Sequence, residues 1–400
     1  MASSENQKLH GENGMDSYGR RRDFRGRFNL QTVSMTPLTG TELKDLDFSA
    51  FKASYEKFRE ISVKCIQERF PTIPRDAIDW IRTCTDYNVP HGKLNRGLLV
   101  IEAAKALHQS AIGESLPVIT VEDVECLAWC VEWLQSYFLV ADDVMDGSEL
   151  RRGKQCWYRR PGVGMIAIND TLLLRSSVDV LLKNQFFNNS SDSRFYRLKD
   201  LFVEVELATQ LGQLLDMTSG NFLAQIESRQ ISASALFHRY YQMIDHKTAL
   251  YSFYLPFAAA LLLFNEQPSQ EERAILIDIG RLFQVQDDVL DVFGDPETTG
   301  KIGTDIEEGK CTWPLCTLLS QANFTQADLS LLYKNYGNRN DHEASKLVKS
   351  LYHRYDIKEK FIDYELNATS ILEQRIASLP RASSRSAFRH TLHKIIKRIK

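Results

Sequence analysis

Two short acidic clusters lie far apart in the chain, Asp142-Asp143-Val144-Met145-Asp146 and Asp287-Asp288-Val289-Leu290-Asp291, and both have the spacing i, i+1, i+4. On a helix the first and last aspartates of each stack one turn apart on one face. Unpaired carboxylates that follow an apolar stretch are costly unless something cationic meets them. Two such helices facing each other make an oxygen-rich cage for a hard divalent cation. Mg²⁺ fits best, because it takes few carboxylates, keeps water and shares its coordination with substrate phosphates. Arg151 and Arg152 follow the first cluster closely, and guanidinium forks suit phosphate oxygens. Lys93 and Arg96, in His91-Gly92-Lys93-Leu94-Asn95-Arg96-Gly97, are three apart and are expected to share a face that grips one diphosphate, with Gly92 letting backbone approach the anion. Taken singly each of these is weak: a lone acidic cluster occurs by chance on charged helices, and basic residues beside Gly are usually a solvated loop.

The elements that must position these groups read as helices. Val124, Leu127, Ala128, Val131, Leu134 and Phe138 recur at helical steps and lead into the first cluster, with Gln135 on the side of Asp142. Phe138 lies one turn, about 5.4 Å, deeper than Asp142. Upstream, Phe48, Phe51, Tyr55, Phe58, Ile61 and Ile66 keep helical spacing until Pro71 and Pro74 interrupt it, and 78–87 carries a further segment ended near Pro90. Helices continue over 170–245, with a polar turn at 188–194. The longest apolar run, 251–264, contains Pro256 and is too short to span a bilayer, so a buried helix is expected. No long strict alternation occurs. The predicted fold is all-α, a single large antiparallel helical bundle over 41–400.

Hydrophobic residues make up 43% of the 400 and the net charge is −3, which excludes bulk nucleic-acid binding. Seven scattered cysteines without a Cys-x-x-Cys pair read as reduced thiols and not as a zinc site. Residues 1–40 read as a disordered basic leader with Arg20, Arg21, Arg22, Arg25 and Arg27. Glu5, Glu12 and Asp16 are wrong for a mitochondrial presequence starting at Met1, whereas initiation at Met15 removes most of that acid; cytoplasmic and mitochondrial locations both stay open.

The two Asp-Asp-x-x-Asp clusters, the first running into Arg151-Arg152-Gly153, resemble those of the trans-isoprenyl diphosphate synthases over roughly residues 45–400. Within that family the longer matches, Cys156-Trp157-Tyr158, Ala167-Ile168-Asn169-Asp170, His246-Lys247-Thr248-Ala249 and Thr299-Gly300-Lys301-Ile302-Gly303-Thr304-Asp305, are similar to its farnesyl diphosphate synthases. The resemblance implies the isoprenoid synthase fold with a central cavity, several Mg²⁺ ions held by Asp142, Asp143, Asp146, Asp287, Asp288 and Asp291, and a homodimer. It implies that Lys247, Thr248 and Lys301 act on the departing diphosphate and that Arg151 binds the allylic one. Lys93, Arg96, Gln135 and Arg152 bind isopentenyl diphosphate, and Gln284 and Lys310 belong with the substrate contacts. Tyr137 and Phe138 would floor the cavity and stop chain growth, and Asp216 would face it, although a buried structural hydrogen-bond partner is an equal reading of that residue. The basic C-terminus would close over isopentenyl diphosphate. His91, Leu94, Leu150 and His246 depart from the family pattern.

The expected activity is Mg-dependent condensation of isopentenyl diphosphate with dimethylallyl or geranyl diphosphate. The alternative is a terpene synthase that ionises and cyclises a prenyl diphosphate with the same acidic cage. Such a cyclase has no use for Lys93, Arg96, Gln135 and Arg152 together. An inactive helical partner subunit is the third reading.

Overall fold

The computed structural model describes residues 43–110, 118–187, 194–219, 232–294, 303–339 and 341–397. The leader at 1–40, most of the polar turn at 188–194, Lys301 and the last three residues lie outside them. The chain runs through α1 (Phe48–Ala53), α2 (Tyr55–Arg69), α3 (Arg75–Asn88), α4 (Asn95–Ser110) and α5 (Val121–Asp146). A hairpin of β1 (Leu150–Arg151) and β2 (Lys154–Gln155) follows, then α6 (Ile166–Phe186), α7 (Arg194–Met217) and α8 (Ala233–Ile244). A π-helical segment, Asp245–Tyr254, leads into α9 (Leu255–Leu263) and α10 (Gln270–Phe293). The remainder is α11 (Asp305–Glu308), α12 (Trp313–Leu319), α13 (Gln326–Asn335), α14 (His342–Arg354), α15 (Ile357–Ser378) and α16 (Ala382–Ile396). The all-α expectation holds. The hairpin, two residues per strand, is the only sheet among the described residues.

The middle of α5 is buried all round, with Leu127, Trp129, Val131, Trp133 and Leu134 each at 0% exposure. A helix without a polar face belongs at the centre of a large protein, and α5 packs against α4, α6 and α9. Close approach of α4 depends on Gly97, where a Cβ would stand 2.7 Å from the Phe51 ring and 3.0 Å from the Ala128 carbonyl oxygen. The apolar run read as a buried helix is α9, every residue of which is buried, with Pro256 at its junction with the π-helical segment.

Both acid-bearing helices start from a capping box, Thr120 with Asp123 for α5 and Ser269 with Glu272 for α10. Gly147, at φ 71°, closes α5 in the left-handed conformation. Between α7 and α10 lies the π-helical segment. Glycines let it in on both sides: a Cβ on Gly212 of α7 would stand 2.1 Å from the Lys247 amide nitrogen, and one on Gly280 of α10 2.4 Å from the Ala249 Cβ.

Candidate active site

Both acidic clusters occupy the last turns of their helices, where the helix dipole adds negative potential to that of the carboxylates. In the first cluster three cations answer it. Arg151 reaches Asp143 Oδ1 with Nε at 2.8 Å and Nη2 at 2.5 Å, and Asp142 Oδ2 at 3.1 Å. Lys247 Nζ stands 3.3 Å from Asp142 Oδ1 and 2.6 Å from Asp216 Oδ2. Lys310 Nζ is 3.0 Å from both Asp146 oxygens and 2.9 Å from the same oxygen of Asp216. Burial pushes the Asp142 carboxyl up, but the Lys247 ammonium beside it, with Arg151 and Lys310, reverses the shift and holds it below its ordinary range. Lys247 and Lys310 do the same for Asp216. Asp146 goes the other way, raised by burial and by the charge of Asp142.

The second cluster is divided. Asp288 is buried, and both of its oxygens are engaged: Tyr240 Oη donates at 2.6 Å, the Trp313 amide at 2.9 Å and Gln284 Nε2 at 2.8 Å. Burial raises its pKa to about 7. Thr248 Oγ1 donates to Gln284 Oε1 at 2.7 Å, so the threonine beside Lys247 is tied to the helix of the second cluster. Asp291 Oδ1 accepts from the Asp305 amide at 3.0 Å. The clusters share one neighbourhood at Glu308 of α11, whose carboxyl is raised by burial and by the like charges of Asp146 and Asp291. The structure thus brings Asp142, Asp143, Asp146, Arg151, Lys247, Thr248, Gln284, Asp288, Asp291 and Lys310 together.

A second basic region lies beside it. Lys93 is exposed on the loop before α4 while Arg96 begins the helix, so the expected shared face is not formed. Leu94 at φ 47° and Arg152 at φ 55° hold left-handed backbone, a strain typical of functional loops. Gly92 makes room for Arg152: a Cβ there would meet the guanidinium carbon at 2.8 Å. Arg152 donates to the His91 carbonyl. Arg96 turns inward, with Nη2 2.8 Å from Tyr251 Oη and Nε 3.0 Å from Ser252 Oγ. With its amide oxygen facing Arg96, Gln135 accepts from Arg96 Nη1 at 3.1 Å and donates to Glu132 Oε2 at 2.9 Å. Glu132 Oε1 in turn accepts from the Gly97 amide at 2.7 Å. Sequence reasoning passed over Glu132, although one acid inside Ala128-Trp129-Cys130-Val131-Glu132-Trp133-Leu134 is itself a signal.

Phe138 sits between Tyr137 and Tyr251, at ring-centroid distances of 4.8 and 5.5 Å. Phe138 precedes Asp142 by four residues on the same helix, and both of its ring partners are tyrosines.

Residues 78–354 match the polyprenyl synthetase family. The chain is 44% identical over 324 residues to farnesyl pyrophosphate synthase 1 of Cannabis sativa, covering 80% of this chain and 90% of that one. It is 42% identical over 328 residues to farnesyl pyrophosphate synthase of Artemisia annua, covering 81% and 91%. A solved structure of farnesyl diphosphate synthase from T. brucei, complexed with minodronate, superposes with a TM-score of 0.76 at 30% identity over 86% of this chain and 97% of that one. The chain belongs to the polyprenyl synthetase family. It is a prenyltransferase with the isoprenoid synthase helical fold.

Membership implies a divalent cation. Among the described residues no three carboxylates, imidazoles or thiols stand close enough to hold one as they are, because Lys247, Lys310 and Arg151 lie between the acids. The donors nevertheless fit a hard cation: aspartate oxygens at two helix C-termini whose dipoles favour positive charge. No helix among the described residues is long and apolar enough to cross a membrane.

Proposed function

We propose that the chain condenses isopentenyl diphosphate with dimethylallyl and then geranyl diphosphate to give farnesyl diphosphate. The observation that supports this reading is the second basic region: Arg96 pairs with Gln135 and interacts with Arg152, which in turn lies near Arg151 of the acidic cage, and a cyclase would have no use for that set. Mg²⁺, held by Asp142, Asp146, Asp287 and Asp291, would supply positive charge against the allylic diphosphate oxygens. Asp143 and Asp288, the middle member of each cluster, are occupied by Arg151 and by Tyr240, Gln284 and the Trp313 amide, and so position the other four.

Lys247 and Lys310, both held protonated by their aspartates, transfer their hydrogen bonds to the allylic diphosphate, with Arg151 beside them; Lys301, which the family resemblance assigns to the same diphosphate, lies outside the described residues. The C–O bond breaks and its electron pair leaves with the diphosphate. The π faces of Phe138 and Tyr251 and the exclusion of water favour the allyl cation. The isopentenyl double bond supplies the pair for the new C–C bond, and the proton lost passes to a diphosphate oxygen, the nearest strong acceptor. Incubation with Mg²⁺ and geranyl diphosphate, with and without isopentenyl diphosphate, tests the reading. Farnesyl diphosphate formed only with isopentenyl diphosphate supports it; terpene hydrocarbon or alcohol formed without it would establish the cyclase, and no turnover in either the inactive subunit.

A homodimer is part of the same reading. Leu207, Leu211 and Leu214 form an apolar stripe along α7, at 56, 47 and 57% exposure, and Ile168 and Leu172 on the neighbouring α6 are 49 and 60% exposed. Such continuous apolar surface is what permanent dimers bury. Sedimentation of the full chain, with Leu211→Glu as the disrupting variant, checks it.

A further inference from the structure

The aromatic contacts of Phe138 continue outward. The Tyr137 ring lies against Phe138, and its hydroxyl accepts a hydrogen bond from Gln210 Nε2 at 3.0 Å. Gln210 stands on α7 at the edge of the leucine stripe, 73 residues along the chain from Tyr137 and on the outer side of the bundle. Its amide is itself fixed. The same Nε2 is 3.2 Å from Glu206 Oε1, and the other oxygen of Glu206 accepts from Arg175 of α6, which also meets Asp179 at 3.2 Å. An ion pair between two outer helices therefore orients one amide, and that amide holds the phenol of the ring packed against Phe138. The ring of Tyr137 is half-buried while its hydroxyl meets Gln210 at the exposed edge of the bundle, so loss of this partner leaves the hydroxyl to water and gives the ring freedom to turn.

We propose that Gln210 is a product-length determinant, a positioning residue that acts through Tyr137 to keep the Phe138 floor closed beneath the growing chain. This rests on the condensation reading above and on the floor assigned to Tyr137 and Phe138. No feature of the cluster spacing or of the basic motifs points to Gln210; the geometry does. It accounts for a glutamine at the edge of the leucine stripe, where its amide reaches the tyrosine hydroxyl. It also makes the floor answerable to α7, whose outer face is the proposed dimer surface.

Product length tests this in the full chain, supplied with dimethylallyl diphosphate, Mg²⁺ and labelled isopentenyl diphosphate. Gln210→Leu keeps the side-chain size and removes the donor; Tyr137→Phe removes the acceptor. Each should raise the ratio of C20 to C15 product by about fivefold, the factor a single hydrogen bond of ordinary strength controls, with the rate of the first condensation unchanged in Gln210→Leu. The double variant should go no further than either single change, because both break one contact. Phe138→Ala serves as the reference and should lengthen products more. Lengthening by Phe138→Ala with none from Gln210→Leu or Tyr137→Phe would overturn the role of Gln210 and leave the floor standing; additive effects in the double variant would overturn the coupling. Unchanged products from Phe138→Ala would overturn the floor and Gln210 with it. Failure of the condensation reading shows separately, as absence of any prenyl diphosphate from the unmodified chain.

Discussion

Lys247 and Asp216 meet at 2.6 Å, the shortest of the lysine contacts in the acidic cage, and Lys310 reaches the same Asp216 oxygen at 2.9 Å. One buried carboxylate thus holds two ammonium groups in the cage. It keeps both charged and aimed before a diphosphate arrives.

Asp216→Asn should therefore cost far more turnover than its distance from any bond being made suggests. Removing one preorganised electrostatic contact from an active site lowers kcat by roughly 10²–10³, and here two lysines lose their orientation together. Steady-state kinetics with geranyl and isopentenyl diphosphates measure this. A kcat within threefold of the unmodified chain would show that the lysines are placed by something else.

Asp142→Ala and Asp287→Ala should each abolish turnover while leaving far-UV helical signal intact, since neither carboxylate supports the core. Chelation should do the same to the unmodified chain, and added Mg²⁺ should restore it. Activity surviving in either variant would remove that residue from the metal site.

Glu132 offers a separate handle on isopentenyl diphosphate. Replacing it by Ala leaves the Gly97 amide and the Gln135 amide without their acceptor, a loss of about 1–3 kcal/mol. The expected result is a rise of about tenfold or more in KM for isopentenyl diphosphate, at about 1.4 kcal/mol per factor of ten, with KM for geranyl diphosphate little changed. Equal rises for both substrates would mean that Glu132 supports the bundle and not the site.

Asp288 gives the stability of the ligand-free chain a definite pH slope. Its carboxyl titrates at about 7 in the fold, above the ordinary value near 3.9 for an unfolded chain. Between these values the folded state holds a proton that the unfolded state has lost. The stabilising contribution is complete below about pH 4 and is lost as pH rises through about 7. Tm of the unmodified chain minus that of Asp288→Asn, followed from pH 5 to 8, should fall. A difference that stays flat or rises contradicts the assignment.

Much of this was legible in the chain. The acidic spacing, the apolar lead-in to Asp142 and the absence of alternation are local patterns, and local patterns survive folding as helices α5 and α10. What escaped depends on contacts between distant segments. Glu132 is a single letter in an apolar run until Gly97 arrives 35 residues away along the chain. Asp216, open between a cavity-facing and a structural reading, takes its meaning from Lys247 and Lys310. Lys93 and Arg96 have helical spacing, but Leu94 turns left-handed and the helix begins after it. The π-helical winding of Asp245–Tyr254 leaves no mark in a 3.6-residue pattern, and the two glycines that admit it lie on other helices.

Those glycines bear on how the protein meets substrates of different length. Backbone at Lys247 and Ala249 is gripped on both flanks at distances no side chain could share, so the Lys247 ammonium and the Thr248 hydroxyl ride on a fixed rail. Adaptation to a five-carbon or a ten-carbon partner is then expected from segments outside this rail, such as the hairpin bearing Arg151 and the stretch that carries Glu308 and Lys310. Substitutions in those segments should tune the preference between starter molecules, whereas the rail tolerates none.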